Sequence, residues 1–280
     1  MAKMVNVRSS LNAFLRFFGI RVLTIKGWKN ILEVIRDRDR LQNVVLLDEI
    51  DFAVVRAAMN HKSRIDQNRL TEYLENRERS TSGFRQDLLA LLFNGFKRNG
   101  TFIEVGACDG LATSNTLLLE RVYGWQGILI EPAKIWHSEI YKHRTAIIDL
   151  RCAWKTTGDK IQFIEKDDSC TSTVLTSNDP EDPNHKIYWV ETVTLREIIK
   201  ENQTIQQVDF LSIDTEGSEL EVLTGFPFER FTPNFICVEH NFEESKRYQI
   251  RSLLESKGYS IFLESHSFVD DWFIFSPKAG

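Results

Sequence analysis

The sequence contains no hydrophobic run of the ~18–20 residues that a membrane-spanning helix needs. The apolar segment Ala13–Ile20 is short and is interrupted by Arg16, so it does not fit a secretory signal peptide. The four cysteines lie far apart and form neither a C-x-x-C metal pattern nor a disulfide framework: Cys108, Cys152, Cys170 and Cys237. We therefore expect a cytoplasmic protein whose cysteines are buried free thiols.

Positive charge is scarce in the larger, C-terminal part of the chain. Residues 1–80 carry 15 Lys and Arg against 10 Asp and Glu, whereas the remaining 200 residues carry 20 against 30. An acidic main body repels polyanions, so we expect no nucleic-acid partner.

The chain is organised around the segment Thr101–Ser114 (TFIEVGACDGLATS). This segment lacks the third glycine of the phosphate-binding pattern G-x-G-x-x-G. We predict a buried strand over Thr101–Val105, a turn over Gly106–Gly110 and a helix from about Ser114. Phosphate-binding turns use G-x-G-x-x-G and bare N–H groups, but here Glu104 and Asp109 place carboxylates beside the turn. This chemistry suits a cationic or hydroxyl-rich ligand, such as the amino group or ribose of S-adenosylmethionine. A strand-to-helix turn without a ligand is the alternative.

Two further predicted strands extend this unit. Gly127–Ile130 is a second buried strand, and it is followed by Glu131 and Pro132. A carboxylate at the end of the second strand of a nucleotide-binding βαβ unit accepts hydrogen bonds from ribose hydroxyls. Ala146–Leu150 is a third strand, and Cys152 and Ala153 follow it, where an adenine edge would pack.

Acidic residues also follow two later strands. Val208–Ile213 is continuously apolar, as buried parallel strands are, and precedes Asp214 and Glu216. Phe235–Val238 precedes Glu239, His240 and Asn241. Ligands of open α/β sheets bind beyond the carboxyl ends of the strands, so we expect one composite site built from these clusters. Capping of the next helix is the alternative explanation for Glu216.

The remaining segments surround this unit. Gly83–Arg98 is predicted as a helix whose Gln86 and Asp87 line the ligand pocket or, alternatively, belong to a solvated first turn. Residues 1–79 are predicted to be helical, either as a cap on the main domain or, through residues 1–45, as a docking surface for an anionic membrane or a protein. Ile161–Ile164 and Tyr188–Val193 are predicted as extra strands, and the polar segment between them, Lys166–His185, is either a substrate-facing loop or a surface insertion. Tyr259–Leu263 and Trp272–Phe275 are predicted to form an antiparallel hairpin.

Four blocks of the chain resemble the FkbM-type family of S-adenosylmethionine-dependent methyltransferases. They are SGFRQDLL (82–89), DGLATSNTLLLERVYGWQGILIEP (109–132), DFLSIDTEGSELEVLTGF (209–226) and VEHNFEESKRYQIRSLLESKGY (238–259). The resemblance implies an α/β fold with a Rossmann-like seven-stranded sheet, its last strand antiparallel, and helices on both faces. It covers roughly 80–277, so we divide the chain into a helical extension (1–79) and a methyltransferase domain (80–280). It also implies S-adenosylmethionine as cofactor and a hydroxyl acceptor on a sugar or natural product.

The resemblance also implies roles for individual residues. Glu104, Gly106, Ala107, Asp109 and Gly110 would form the turn around the methionine part of the cofactor. Beneath it, Ser114 and Asn115 would open the following helix. Glu131, with Pro132, would hold the ribose, and Cys152 and Ala153 would border the adenine. Asp214 and Glu216 would face the methyl group or the acceptor. Cys108 stands where the family often has a polar residue, which puts one contact in doubt.

Methyl transfer to a hydroxyl requires alignment of the acceptor with the methyl group and removal of a proton. His240 is our candidate base because its unperturbed pKa lies near neutrality, with Glu239 or Asp214 fixing its tautomer; a structural histidine is the alternative. A rival mechanism uses Asp214, Glu239 and His240 to hold Mg²⁺, which the sequence permits but does not demand. The predicted function is O-methylation of a sugar hydroxyl. The alternative is a non-catalytic module that docks through its N-terminal helices. A nicotinamide oxidoreductase is disfavoured by the missing G-x-G-x-x-G.

Overall fold

The computed structural model describes residues 47–58, 65–166, 171–175 and 185–276. The chain divides into two units, residues 1–49 and 50–280, and the description below concerns the second. The helices predicted before residue 47, the docking segment 1–45 and most of the polar segment 166–185 lie outside the described residues. Within the described ranges, none of the helices combines the length and the apolar character needed to cross a membrane.

The described chain alternates strands and helices after an initial group of helices. The α-helices are α1 (47–58), α2 (Gln67–Asn76), α3 (Gln86–Phe93), α4 (Leu117–Tyr123), α5 (His137–His143), α6 (Leu195–Glu201), α7 (Glu219–Thr224) and α8 (Glu244–Ser256). The strands are β1 (Thr101–Val105), β2 (Gln126–Ile130), β3 (Ile147–Asp149), β4 (Cys152–Ala153), β5 (Lys160–Glu165), β6 (Thr173–Val174), β7 (Lys186–Val193), β8 (Phe210–Ile213), β9 (Phe235–Glu239), β10 (Tyr259–Ile261) and β11 (Asp270–Phe275).

Seven strands form the central sheet, in the order β10-β11-β9-β8-β1-β2-β3. β1 pairs in parallel with β2 and β8, while β11 runs antiparallel to both β9 and β10. The α/β class, the seven strands, the antiparallel last strand and the terminal hairpin are therefore confirmed. The strand order reverses beside β1, which places the carboxyl ends of β1 and β8 next to each other at the point where open sheets bind ligands.

Alternating residues of the strands face two different helical layers. Ile103 of β1 and Ile236 of β9 belong to one apolar cluster with residues of α6, α7 and α8. On the opposite face, Phe235 of β9 stacks on Phe93 of α3 with ring centroids 5.7 Å apart. Side chains alternate between the faces of a strand, so both faces are buried beneath helices. This arrangement leaves the strand ends as the place where polar groups can gather.

A second sheet of four strands, β4-β7-β5-β6, follows β3 in the chain. β5 pairs antiparallel with both β6 and β7, and β4 runs parallel to β7. The sequence predicted β5 and β7 but not β6, which is only two residues long and lies in the segment predicted as an irregular loop.

The helices before β1 differ from the predicted boundaries. The helix predicted over Gly83–Arg98 is shorter: α3 begins at Gln86, because Arg85 adopts a left-handed conformation (φ 66°), and ends at Phe93. Residues 50–58 and 65–79 pack within the same unit as the sheet. Asp51 of α1 accepts hydrogen bonds from the Tyr73 hydroxyl at 2.7 Å and the Arg85 guanidinium at 3.2 Å. The predicted division of the chain at residue 79 stays a prediction.

Candidate active site

A cavity of about 930 Å³, open to solvent at its mouth, lies at the carboxyl ends of β1, β2 and β8. Eleven predicted site residues line it: Glu104, Gly106, Ala107, Ser114, Asn115, Glu131, Pro132, Cys152, Ala153, Asp214 and Glu216. Within the described part of the chain, four of its lining residues are carboxylates and none is Lys, Arg or His. Its walls therefore favour a cationic or hydroxyl-rich ligand and repel phosphate.

The Gly106 turn brings three strand ends into contact. The Gly106 amide donates to the Ile130 carbonyl at 3.0 Å, and the Asp214 amide donates to the Val105 carbonyl at 3.0 Å. Gly106 has a φ of +84°, and a β-carbon built there would lie 1.6 Å from the Asp214 carbonyl oxygen. Only glycine fits, because both the backbone conformation and the missing side chain are required.

Glu131 is held by backbone groups on both sides of the cavity. Its Oε2 accepts a hydrogen bond from the Cys108 amide at 2.8 Å, and its Oε1 accepts one from the Ala133 amide at 2.7 Å. Burial raises the pKa of Glu131 to about 7, and repulsion by Glu165 adds to the increase, although the two amides oppose it. Each carboxylate oxygen keeps a second lone pair, so Glu131 can still accept from ligand hydroxyls.

Glu104 anchors the start of α4. Its carboxylate accepts hydrogen bonds from the Ser114 hydroxyl, the Asn115 amide at 2.8 Å and the Thr116 hydroxyl. Arg144, whose side chain is fully buried, lies 3.5 Å from the same carboxylate. Glu104 therefore fixes the positions of Ser114 and Asn115 in the cavity wall.

Asp214, Glu216 and Glu239 form an acidic cluster at the ends of β8 and β9, with one oxygen from each lying within 4.8 Å of the others. The Asn241 side-chain amide donates to Glu216 at 3.1 Å and to Glu239 at 2.9 Å. Burial and repulsion by Asp214 raise the pKa of Glu239. Desolvation, limited because the Asp214 side chain is exposed at the cavity, and repulsion by Asp270, Glu216 and Glu219 raise the pKa of Asp214, whose hydrogen bond to Glu239 opposes the increase. The pair is thus expected to share a proton near neutral pH.

The fold and the cavity geometry agree with the comparisons to known proteins. The family model described as the methyltransferase FkbM domain matches residues 104–261, more than half of the chain. The chain belongs to the FkbM methyltransferase family. The methyltransferase sdnD of Sordaria araneosa is 37% identical over 75 residues, which are 26% of this chain and 29% of that protein. The chain thus spans less than a third of this relative's length.

A search of solved structures gives a weaker likeness. The crystal structure of precorrin-6y C5,15-methyltransferase from Geobacter metallireducens aligns with a TM-score of 0.36 and 9% identity, covering 63% of this chain and 72% of that one. At this TM-score, the likeness carries no information about function.

Membership of the FkbM family implies S-adenosylmethionine as methyl donor, and the cavity of this methyltransferase fits that molecule. The sulfonium and amino groups of the donor are cationic, which suits a cavity lined by carboxylates. Asn115 Oδ1 is buried and has no hydrogen-bond partner, so it is available to an ammonium group near the Gly106 turn. Glu131 lines the same cavity, and its contact with the ribose hydroxyls stays a prediction.

One wall of the cavity is apolar, and it includes Cys152 and Ala153, which are predicted to border the adenine. Cys152 packs in a buried cluster with Ala133, Phe163 and Val190. Burial raises the pKa of the Cys152 thiol to about 12, so it remains neutral. Phe163, Ser172 and Val174, which come from the second sheet and the segment before β6, also line the cavity. The sequence analysis missed these three residues, although the apolar alternation around Phe163 marked it as a strand residue.

Two predicted cofactor residues on α3 lie elsewhere. The Asp87 carboxylate accepts hydrogen bonds from the Ser80 hydroxyl at 2.6 Å and the Thr81 amide at 2.7 Å, and so fixes the segment before the helix. Gln86 donates to Asp270 Oδ2 at 2.8 Å. Neither lines the cavity, so the alternative of a helix-start role is nearer to what the structure shows, although both side chains are buried rather than solvated.

Asp109 and Gly110 also lie outside the cavity lining. Asp109 Oδ1 accepts from the Leu111 amide at 2.9 Å and the Ala112 amide at 2.9 Å, which closes the turn upon itself. A β-carbon on Gly110 would meet the side chain of Arg144 at 2.7 Å. These two residues shape the turn, and their predicted contact with the cofactor stays a prediction.

His240 is buried and does not line the cavity. Its Nδ1 accepts a hydrogen bond from the Phe242 amide at 3.0 Å, while its Nε2 lies 3.9 Å from Asp271 and has no hydrogen-bond partner. Burial lowers the pKa of His240, although the Asp271 charge opposes this. The general-base role stays a prediction, and this position does not favour it. Nor does His240 belong to the acidic cluster, in which Glu216 takes the place predicted for it as a Mg²⁺ ligand.

Proposed function

We propose that this methyltransferase transfers the methyl group of S-adenosylmethionine to a hydroxyl of a sugar, in a glycan or a glycosylated metabolite. The observation that carries this proposal is the hydrogen-bonded Asp214–Glu239 pair beside the carboxylate-lined cavity. A hydroxyl is a poor nucleophile, so its proton must be removed as the new bond forms. A carboxyl pair with raised pKa values can accept that proton near neutral pH.

The reaction is an in-line displacement at the methyl carbon. The acceptor oxygen forms a bond to the methyl group, the sulfur–carbon bond breaks, and S-adenosylhomocysteine leaves as a neutral thioether. The hydroxyl proton passes to the Asp214–Glu239 pair, with Glu216 and Asn241 holding Glu239 in place. Glu131 and the Gly106 turn hold the donor, so that the methyl group points towards the acidic cluster.

Methyl transfer to defined acceptors tests this proposal. The purified protein is incubated with methyl-labelled S-adenosylmethionine and a panel of methyl glycosides, amines and carboxylic acids, and the labelled products are identified by mass spectrometry and NMR. We expect label in an ether that survives mild base, and its loss in Glu131→Ala and Asp214→Asn. Labelled amines or base-labile esters in place of ethers would contradict the proposal.

The non-catalytic alternative depends on residues 1–45, which lie outside the described residues. It stays a prediction. Calorimetric titration of S-adenosylhomocysteine into the wild-type protein and Glu131→Ala tests it. Two results together would favour the non-catalytic alternative over catalysis. One is binding at the donor site without turnover of any acceptor, and the other is binding to anionic vesicles that is lost when residues 1–45 are deleted.

A further inference from the structure

An exposed aromatic side chain lies next to the acidic cluster. Phe242 is 64% exposed. It directly follows Asn241, whose side-chain amide donates hydrogen bonds to both Glu216 and Glu239. Consecutive Cα atoms are about 3.8 Å apart, so Phe242 lies directly beside the residue that is hydrogen-bonded to the two carboxylates. Other large hydrophobic side chains are also exposed, and the feature specific to Phe242 is its place beside the convergent polar groups of the acidic cluster, since binding sites combine apolar surface with a few such groups.

The backbone around Phe242 is held in an unusual conformation. Asn241 and Phe242 both have left-handed φ values, +47° and +58°. Asparagine adopts this conformation readily, but a bulky aromatic residue rarely does. Strained residues persist where the surrounding structure determines them, and they concentrate at binding sites.

Contacts with His240 and Val269 hold Asn241 and Phe242 in this left-handed conformation. The Val269 carbonyl accepts hydrogen bonds from the His240 amide at 2.7 Å and the Asn241 amide at 3.3 Å. The His240 Nδ1 then accepts the Phe242 amide at 3.0 Å, and the two rings meet edge to face with centroids 5.8 Å apart. A neutral imidazole is required, because a protonated Nδ1 cannot accept a hydrogen bond. The buried His240 therefore fixes both the backbone and the ring of Phe242.

We propose that Phe242 is the surface on which the sugar ring of the acceptor stacks, and that His240 is the positioning residue that holds this surface beside Asp214 and Glu239. The inference rests on the proposed function and adds the acceptor subsite. The π-face of an aromatic ring is negative and attracts the polarised C–H groups on the apolar face of a pyranose. The ring-edge hydroxyls of the same sugar donate to the neighbouring carboxylates. A phosphate or a free carboxylate would be repelled by those groups.

Ligand-detected NMR tests the subsite without requiring turnover. Saturation-transfer spectra are recorded for methyl α-D-glucopyranoside, methyl α-D-mannopyranoside and methyl α-D-galactopyranoside in the presence of S-adenosylhomocysteine. We expect saturation on the C–H groups of one ring face in at least one glycoside, about 3- to 10-fold weaker binding in Phe242→Ala, and retained binding in Phe242→Trp. Tyr141→Ala is the matched control, because Tyr141 is also an exposed aromatic residue (56%) but lies on α5, near the opposite edge of the sheet.

Two outcomes of this experiment would overturn the subsite. One is equal glycoside binding by the wild-type protein and Phe242→Ala. The other is the absence of binding for all three glycosides while calorimetry shows intact binding of S-adenosylhomocysteine. Neither outcome decides the proposed function, because that depends on which atom of the acceptor becomes methylated. Conversely, transfer of the labelled methyl group to nitrogen would contradict the proposed function but would leave the saturation-transfer signal of the glycosides unchanged.

The positioning role of His240 has its own test. His240→Asn keeps an oxygen acceptor near the position of Nδ1, whereas His240→Leu removes it. With an acceptor glycoside as substrate, we expect a several-fold higher acceptor KM in His240→Leu, a nearly normal KM and kcat in His240→Asn, and the same pH profile of kcat in His240→Asn and the wild type. A collapse of kcat in His240→Asn would identify His240 as the base and refute the positioning role.

Discussion

A β-carbon on Gly106 would lie 1.6 Å from the carbonyl oxygen of Asp214, so the backbone of the Gly106 turn is in direct contact with the backbone of the acidic cluster. The ends of β1 and β8 approach this closely because the two strands are parallel neighbours with Val105 in register with Ile213. Any side chain at position 106 must push β8, and with it Asp214, away from the cavity.

Gly106→Ala is therefore expected to abolish S-adenosylhomocysteine binding and to lower the unfolding temperature. Gly158→Ala is the matched control. Gly158 also has a positive φ (+90°), but no heavy atom lies within 4 Å of a β-carbon built there. Both variants carry the backbone strain of alanine at positive φ, about 1–3 kcal/mol. Calorimetry and thermal unfolding measure the difference; equal losses in the two variants would show that the contact with Asp214 is unimportant.

Glu131 is expected to make donor binding depend on pH. Its pKa of about 7 means that the unliganded carboxyl is largely protonated below pH 7. Ribose hydroxyls bind best to the ionised form, so binding should release a proton at pH 6. The affinity for S-adenosylhomocysteine should rise with pH, by at most about tenfold per unit, and level off above pH 7.

Calorimetry in buffers of different ionisation enthalpy measures this proton release. Glu131→Gln should bind more weakly and with less dependence on pH, while Glu255→Gln, an exposed residue of α8, should behave as the wild type does. Asp214 also titrates in this range, so the same measurement on Asp214→Asn separates the contribution of Asp214 to the pH dependence from that of Glu131. A pH dependence that survives unchanged in Glu131→Gln would assign the proton to another group.

Asp214→Asn is expected to stabilise the protein and to inactivate it. The pKa of Asp214 is higher in the folded protein than in the unfolded chain, so the folded state holds a proton that the unfolded chain releases. The stability that Asp214 contributes is thus greatest below about pH 4 and declines as the pH rises. The variant should unfold a few degrees higher than the wild type at pH 8, with little difference at pH 4.

The same variant should lose about 10²- to 10⁴-fold in kcat, the range for loss of a general base, and still bind S-adenosylhomocysteine. Scanning calorimetry at the two pH values and labelled methyl transfer measure the two effects. A variant that is less stable at pH 8, or that transfers methyl groups at the normal rate, would contradict the role of the pair.

Arg144→Met is expected to destabilise the protein by about 3–5 kcal/mol, because it leaves buried carboxylates without a counter-charge. Arg144 is fully buried and pairs with Glu120 at 2.7 Å and Glu104 at 3.5 Å. Urea unfolding measures the loss. Arg121→Met should cost little, since Arg121 is exposed and makes a single bond to a backbone carbonyl. Adding Glu120→Gln to Arg144→Met should recover part of the stability.

The sequence predicted β1, β2, β8 and β9 because each is apolar and is followed by a polar cluster. That pattern also predicted that Glu104, Glu131 and Asp214 would meet, since parallel strands bring their carboxyl ends to one edge. The pattern did not predict in which direction each side chain of a polar cluster points. Glu239 and His240 are neighbours, yet Glu239 joins the acidic cluster and His240 turns towards Asp271, because successive side chains of an extended segment point to opposite sides.

The residues before β1 show a second limit. Gln86 and Asp87 belong to a block that resembles the family, and their polarity near the first strand indicated a pocket. The left-handed Arg85, which α3 needs at its start, redirects both side chains towards the preceding loop and Asp270. The Arg85 guanidinium also donates to the Arg77 carbonyl and to Asp51, 34 residues earlier in the chain, and local sequence pattern could not reveal this distant contact.

In the proposed function, the two halves of the sheet have different roles: residues around β1 and β2 would hold the donor, and those after β8 and β9 would face the acceptor. The contact of Gly106 with Asp214 joins the two halves. Substitutions at Phe242 and Glu243, which follow the acidic cluster and the Asn241 that holds it, can therefore accumulate without altering the donor cavity. This separation makes the enzyme a scaffold whose acceptor preference can be re-engineered, or can diverge between lineages, one loop at a time.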